Sequence, residues 1–237
     1  MAKTIVKAIT GASFLFVVIL SLLFLYAQSF QSSGIYSQDT DLWNKILTGY
    51  LVIFAISLIG AYILDRETVN KLATANYWKT FGLRFIPTAI VSILFFVLIR
   101  VILKGANHIN IFEAISYIPI PVLLFHLFVV SQVEELLFGG LIFKTIKKRG
   151  NTTAAYLLSA VLFSLWHYAK SGGSIAIMIT YFPLRFIFNY ASQEGIPGLR
   201  KIFPNNFGPT QETQQAGAAV HFAWNAFIVG FIENLKI

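Results

Sequence analysis

The chain has 237 residues, of which 57% are hydrophobic and only 12% charged, and its mean hydropathy is +0.71. A soluble domain carries about 25% charged residues, so this composition excludes an ordinary soluble fold. The net charge of +8 and the pI near 9.7 do not point to nucleic acid, because no basic-aromatic patch or nucleic-acid motif accompanies them; membrane proteins gather Lys and Arg in cytoplasmic loops. The absence of cysteine excludes disulfides, thiolate metal ligands and cysteine nucleophiles together.

Apolar runs of about twenty residues, the length that crosses a ~30 Å hydrocarbon core, predict seven spans. They fall at roughly 8–27, 46–64, 83–103, 118–143, 153–169, 173–190 and 216–233. The runs are continuously apolar instead of alternating, which argues for an all-α polytopic protein and against a β-barrel. The first run follows Lys3 and Lys7, exceeds a secretory h-region and lacks a small-x-small cleavage site, so it reads as a retained membrane helix. Arg100 lies near one end of the third, where its side chain can snorkel. Pro119 and Pro121 open the fourth, tolerable in a first turn whose amides have no partner anyway. Pro183 predicts a kink in the sixth, and Arg185 just beyond it is a second intramembrane charge that needs a partner. The polar segment 191–215, rich in Gly and Pro, reads either as a cytoplasmic lid or as a poorly ordered connection.

With seven spans, Arg66, Lys71, Lys79, Arg84, the basic turn 144–149, Arg200 and Lys201 fall on the same side as Lys3 and Lys7. The positive-inside rule then places the N-terminus in the cytoplasm of a multi-pass cell-membrane protein, with the C-terminus outside. No internal repeat or linker interrupts the chain, which reads as one transmembrane domain over 1–237, with N-terminal spans in 1–110 and a core in 118–233.

Glu134 and Glu135 sit side by side within the fourth span. A strongly charged residue at a helix centre costs about 2.5–3.5 kcal/mol on insertion scales, so an intramembrane acid marks a functional site by default. Two further polar clusters follow: Phe163 to His167 on the fifth span and His221 to Asn225 on the last. The fourth and fifth spans should form an antiparallel hairpin around 147–152. Glu134 and His167 lie sixteen and seventeen residues from Gly150, which at ~1.5 Å per residue puts them at nearly the same depth. His221 and Asn225 are four apart and share one helix face. Adjacent helical residues point ~100° apart, so Glu134 and Glu135 are not expected to face one pocket equally.

This set supports water activation. A carboxylate near an imidazole in a low-dielectric site can take a proton from water. A second imidazole and an amide can donate to a developing oxyanion. Neither a G-x-S-x-G elbow nor H-E-x-x-H is present. Each element also has a plainer reading. A Glu–His pair is often a structural hydrogen bond, Phe-x-x-x-His alone carries little information, and His-x-x-x-Asn can be an interhelical tie. His126 reads as a structural histidine and His108 as a solvated loop residue. It is the ordered set of three that packing explains poorly.

In that order the clusters resemble the CAAX protease and bacteriocin-processing (CPBP, or Abi) family of intramembrane proteases, which shows Glu-Glu-x-x-x-Arg, Phe-x-x-x-His and His-x-x-x-Asn/Asp on successive membrane helices. The resemblance covers about 118–233 and implies peptide-bond hydrolysis by a glutamate-activated water. It would make Glu134 the base, with His167, His221 and Asn225 positioning water or stabilising the oxyanion and Glu135 supporting. It also implies a peptide or small-protein substrate, of CAAX type or in bacteriocin maturation, self-immunity or signalling. Family members are often called metalloproteases, so zinc held by Glu134, His167 and His221 is a possible cofactor. One position departs from the pattern: Gly139 stands where the family has arginine, and Arg185 is the candidate substitute. A non-catalytic membrane scaffold or immunity protein that keeps the pocket is the alternative class, followed by a transporter, for which the expected internal symmetry is not evident.

Overall fold

The computed structural model describes residues 74–104, 125–210 and 214–232, together with scattered positions between 48 and 70. The expected span 8–27, Pro119, Pro121 and His108 lie outside the described residues, as do the side chains of Arg100 and His126. Every regular element among the described residues is helical. The helices are α1 (Ala75–Lys104), α2 (125–147), α3 (Thr152–Lys170), α4 (Ile175–Glu194), α5 (Leu199–Ile202), α6 (Pro204–Phe207) and α7 (Gln215–Ile232). The stretches Tyr77–Ile99 and Ile175–Ile202 are each long and apolar enough to cross a membrane. The described residues gather into two compact units, one that includes 136–187 and the other that includes 74–104, 125–135, 188–210 and 214–232.

The second unit is built around α1 and α7. Thr74 caps α1, its hydroxyl accepting the Tyr77 amide at 3.3 Å, so the helix begins eight residues before the expected apolar run. Small residues let the two helices approach: Ala89 of α1 and Ala218 and Ala219 of α7 are buried with Phe85. Aromatic rings fill the seam, Phe85 meeting Phe81 at 4.5 Å, Phe128 of α2 at 5.6 Å and Phe222 of α7 at 5.5 Å.

Pro87 lies inside α1 and has no amide hydrogen for the carbonyl four residues back, that of Leu83. Asn206 supplies the missing donor: its Nδ2 gives a 3.0 Å hydrogen bond to the Leu83 carbonyl. Thr88 donates to the Asn206 carbonyl at 3.4 Å, and Arg84 donates to the Pro209 carbonyl. Residues 191–210 are therefore not an irregular connection. They carry α4 on to Glu194, then fold into α5 and α6 on the proline break of α1. Gly195, at φ +74, makes the tight turn, where a Cβ would collide with the Phe207 carbonyl. Asn206→Ala is expected to cost about 0.5–1.5 kcal/mol in wild type. In a Pro87→Ala background, where residue 87 again donates to Leu83, that cost should largely disappear. A thermal-melt double-mutant cycle in detergent measures the coupling, and additive losses would contradict it.

The first unit has the hairpin expected from sequence. α3 is capped by Asn151, whose Oδ1 accepts the Ala154 amide at 2.8 Å, and it follows Gly150 at φ +87. Leu157, Leu158, Val161 and Leu165 form an exposed apolar face on α3, as a lipid-facing helix requires. Opposite them, Phe163 and Trp166 are buried against Phe138 at 5.1 and 5.6 Å.

Candidate functional site

The helix that carries the paired glutamates is not a uniform α-helix. Phe125–Val130 is π-helical, Ser131–Glu134 α-helical, Glu135–Phe143 π-helical again and Lys144–Lys147 α-helical. Such i→i+5 turns are rare and concentrate at functional sites. Side chains hold these changes of register in place. The Ser131 hydroxyl lies 2.8 Å from the Leu127 carbonyl and 3.0 Å from that of Phe128, a back-bond that bends helices. Within the other unit, Ser159 of α3 donates to the Phe138 carbonyl at 3.1 Å.

The change from α to π falls between Glu134 and Glu135, and both side chains are only 1% exposed. His221 of α7, fully buried, meets both. Its Nδ1 donates to Glu135 Oε1 at 3.2 Å, and its Nε2 lies 3.5 Å from Glu134 Oε2. The expectation that neighbouring glutamates cannot share a site equally applies to a one-sided partner. An imidazole has two nitrogens on opposite edges, so one carboxyl group can approach each.

The ring is held in this orientation from its face and from the helix below. Phe188 stacks on His221 with centroids 4.6 Å apart and planes 14° from parallel. One turn earlier, the first amides of α7 find partners in side chains: Ala216 N–H donates to Thr210 Oγ1 and Gly217 N–H to Ser192 Oγ, each at 2.9 Å. Gly217 permits the close approach. A Cβ there would lie 2.7 Å from the Phe188 carbonyl and 3.0 Å from Glu135 Oε2, and would collide with Ser192 Oγ.

Asn225 follows His221 by one turn and is buried as the shared-face reading expects. Its Nδ2 has no hydrogen-bond partner among the described residues. A buried amide left without an acceptor costs roughly 1–3 kcal/mol. Asn225→Leu is accordingly expected to leave the melting temperature unchanged or raise it. Turnover should fall about 10²–10³-fold, as for loss of an oxyanion donor. Lost stability with unchanged turnover would make Asn225 a structural tie instead.

Glu134, Glu135, His221 and Asn225 thus occupy one unit. His167 and Arg185 belong to the other. There, His167 Nδ1 donates to the Phe163 carbonyl at 3.0 Å. Tyr181 stacks on the ring at 3.7 Å and 14°. Arg185 is fully buried, its guanidinium 5.4 Å above the Phe163 ring, in the unit that also holds the buried Gly139. Sequence reading did not single out Phe188, Ser192 or Gly217. The i, i+4 spacing of Phe188 and Ser192 on α4, and of Gly217 and His221 on α7, was the available signal.

Zinc takes three protein ligands at a catalytic site and four at a structural one. Glu134 Oε2 and His221 Nε2 supply two adjacent donors, and no group of three or more His, Asp or Glu side chains among the described residues is placed to hold an ion. The donor set in this unit does not fit zinc by itself.

A helical membrane protein with a carboxylate–imidazole–carboxylate group and a buried amide beside it is the class that fold and site define. Residues 115–195 match the model of the family described as type II CAAX prenyl endopeptidase Rce1-like, which establishes the family resemblance over that stretch. The match includes Glu134, Glu135, Gly139, Phe163, His167 and Arg185, whereas His221 and Asn225 lie beyond it. No curated protein and no solved structure matches the chain.

Proposed function

We propose that this protein is a membrane-embedded, glutamate-dependent endopeptidase of seven spans with a cytoplasmic N-terminus, acting on a peptide or small protein. The observation that carries the reading is the placement of both intramembrane glutamates on the two nitrogens of His221, one turn from the orphaned amide of Asn225. The Rce1-like match supports peptide-bond hydrolysis and CAAX-type substrates over other uses of a buried acid.

In this reading Glu134 takes a proton from water, and the hydroxide adds to the scissile carbonyl carbon. Asn225 Nδ2 donates to the oxyanion that forms, while the Nε2 edge of His221 positions the water. When the tetrahedral intermediate collapses, the C–N bond breaks and Glu134 returns the proton to the leaving amine, giving a carboxylic acid and an amine. Glu135 accepts from Nδ1 and so fixes the ring tautomer, much as a carboxylate orients the histidine of a hydrolytic triad. His167 enters through the resemblance alone, as a group that positions water. Arg185 enters as the cation standing in for the arginine missing at Gly139. An exchange of charge between Arg185 and Glu135 that restores nothing would remove that assignment.

The test is complementation in native cells at matched membrane abundance, comparing wild type with Glu134→Gln and His167→Ala. Loss in both, with an uncut precursor accumulating, supports hydrolysis. Retention in both supports the second reading, a scaffold or bacteriocin-immunity protein that keeps the pocket to bind a partner, which Gly139 in the arginine position favours. The steps above use only carboxylate, imidazole and amide. Cleavage by the purified protein is therefore expected to survive EDTA or 1,10-phenanthroline, and loss that zinc restores would overturn the metal-free form of the mechanism.

A further inference from the structure

The α5–α6 turn presents side chains that a water-facing connection has no reason to expose. Ile202 is 68% and Phe203 51% exposed, the two adjacent residues at the end of α5. They follow Arg200 and Lys201 directly. Arg200 is turned back onto α4, bonding the Glu194 carbonyl and pairing with its carboxylate at 2.9 Å. Lys201 carries the outward positive charge.

The turn is also fixed in place. Asn206, Thr88 and Arg84 tie it to α1 around Pro87, and Phe203 N–H donates to the Leu199 carbonyl at 2.8 Å. At the same end of α1, about a turn before Leu83, stand Lys79 and Trp78, the latter 59% exposed. Exposed Trp, Phe and Ile interleaved with Lys and Arg are the composition of a membrane–water interface. The basic pair Arg200 and Lys201 falls at the end of the apolar stretch Ile175–Ile202, with the aromatic Phe203 next in the chain, which is where a headgroup layer would lie.

We propose that the α5–α6 turn is an interfacial anchor. Ile202, Phe203 and Trp78 sit at the level of the headgroups, while Lys201 and Lys79 face anionic lipid. The segment between α4 and α7 is then held by the bilayer on one side and by the Pro87 break on the other. Because Ser192 and Thr210 at its ends cap α7, the lipid surface becomes part of what holds that helix in register.

The native chain has no cysteine, so Phe203→Cys or Ile202→Cys gives a single labelling site. The full-length protein carrying a nitroxide at either position is reconstituted into phosphatidylglycerol–phosphatidylcholine vesicles or pure phosphatidylcholine. Accessibility to oxygen and to a water-soluble nickel chelate is then compared with a label at Asn151. Anchoring predicts that oxygen outcompetes nickel at 202 and 203 but not at 151. Lys201→Glu should lower the interfacial population about fivefold in the anionic vesicles, the factor expected per basic residue near such a surface. A label open to nickel in both lipids overturns the proposal, as does one shielded only when a peptide is added, which would make the turn a peptide-docking face. The readout is independent of hydrolysis, so a catalytically dead protein passes or fails it on the same terms.

Discussion

Glu134→Gln is expected to reduce single-turnover cleavage by about 10²–10⁴-fold, the range for loss of a general base, with little change in melting temperature. The amide keeps the shape of the carboxylate and can still meet His221 Nε2, so packing is preserved while the proton acceptor is removed. Glu135→Gln should behave differently. Its carbonyl oxygen still accepts the Nδ1 hydrogen that Glu135 Oε1 receives at 3.2 Å, so the imidazole keeps its tautomer and activity falls less. Glu135→Leu removes that acceptor, leaves a buried donor unsatisfied and should lose both stability and turnover. Equal losses for Glu134→Gln and Glu135→Gln would show that the two carboxylates are not divided between activating water and orienting the ring.

Gly217→Ala should lower stability by about 1–3 kcal/mol, the cost of forcing atoms into a packed interior, and should lower activity further than that loss explains. The obstacle is the Phe188 carbonyl, 2.7 Å from the would-be Cβ, because a backbone oxygen in mid-helix cannot rotate away as a side chain can. Relief must come from displacing α7, which carries His221 one turn later and would draw its nitrogens off the two carboxylates. Thermal melting in detergent and cleavage at saturating substrate separate the two effects. Unchanged turnover in the folded fraction would mean that the approach at Gly217 serves packing alone. Ser192→Gly in the same background removes one collision and also an amide cap. It should not rescue activity, because the carbonyl collision remains.

Several parts of this arrangement were readable in the chain because they depend on local periodicity. The apolar run at 153–169 became Thr152–Lys170, and Asn151 and Gly150 sit where a helix start and a preceding left-handed stop are needed. His221 and Asn225 share a buried face for the reason their spacing implied. The expense of carboxylates in hydrocarbon singled out Glu134 and Glu135 before any fold was known.

Other features depend on contacts between residues distant in sequence, and no local pattern encodes those. The π turns of α2 change only the hydrogen-bond register, leaving hydrophobicity and length as they were, so composition is blind to them. The early start of α1 was masked by the polar residues of its first turns, which find their partners in α7: Gln215 Nε2 donates to the Tyr77 carbonyl at 3.0 Å. Segment 191–215 looked irregular because Asn206 within it is ordered by the Leu83 carbonyl that Pro87 frees, 123 residues earlier in the chain. Hydropathy and local spacing are enough to specify a helical chain with membrane-length apolar runs and two adjacent acids inside one of them. That both acids meet one imidazole follows from long-range packing, because a two-edged ring can serve neighbouring side chains only when a glycine lets its helix come close enough.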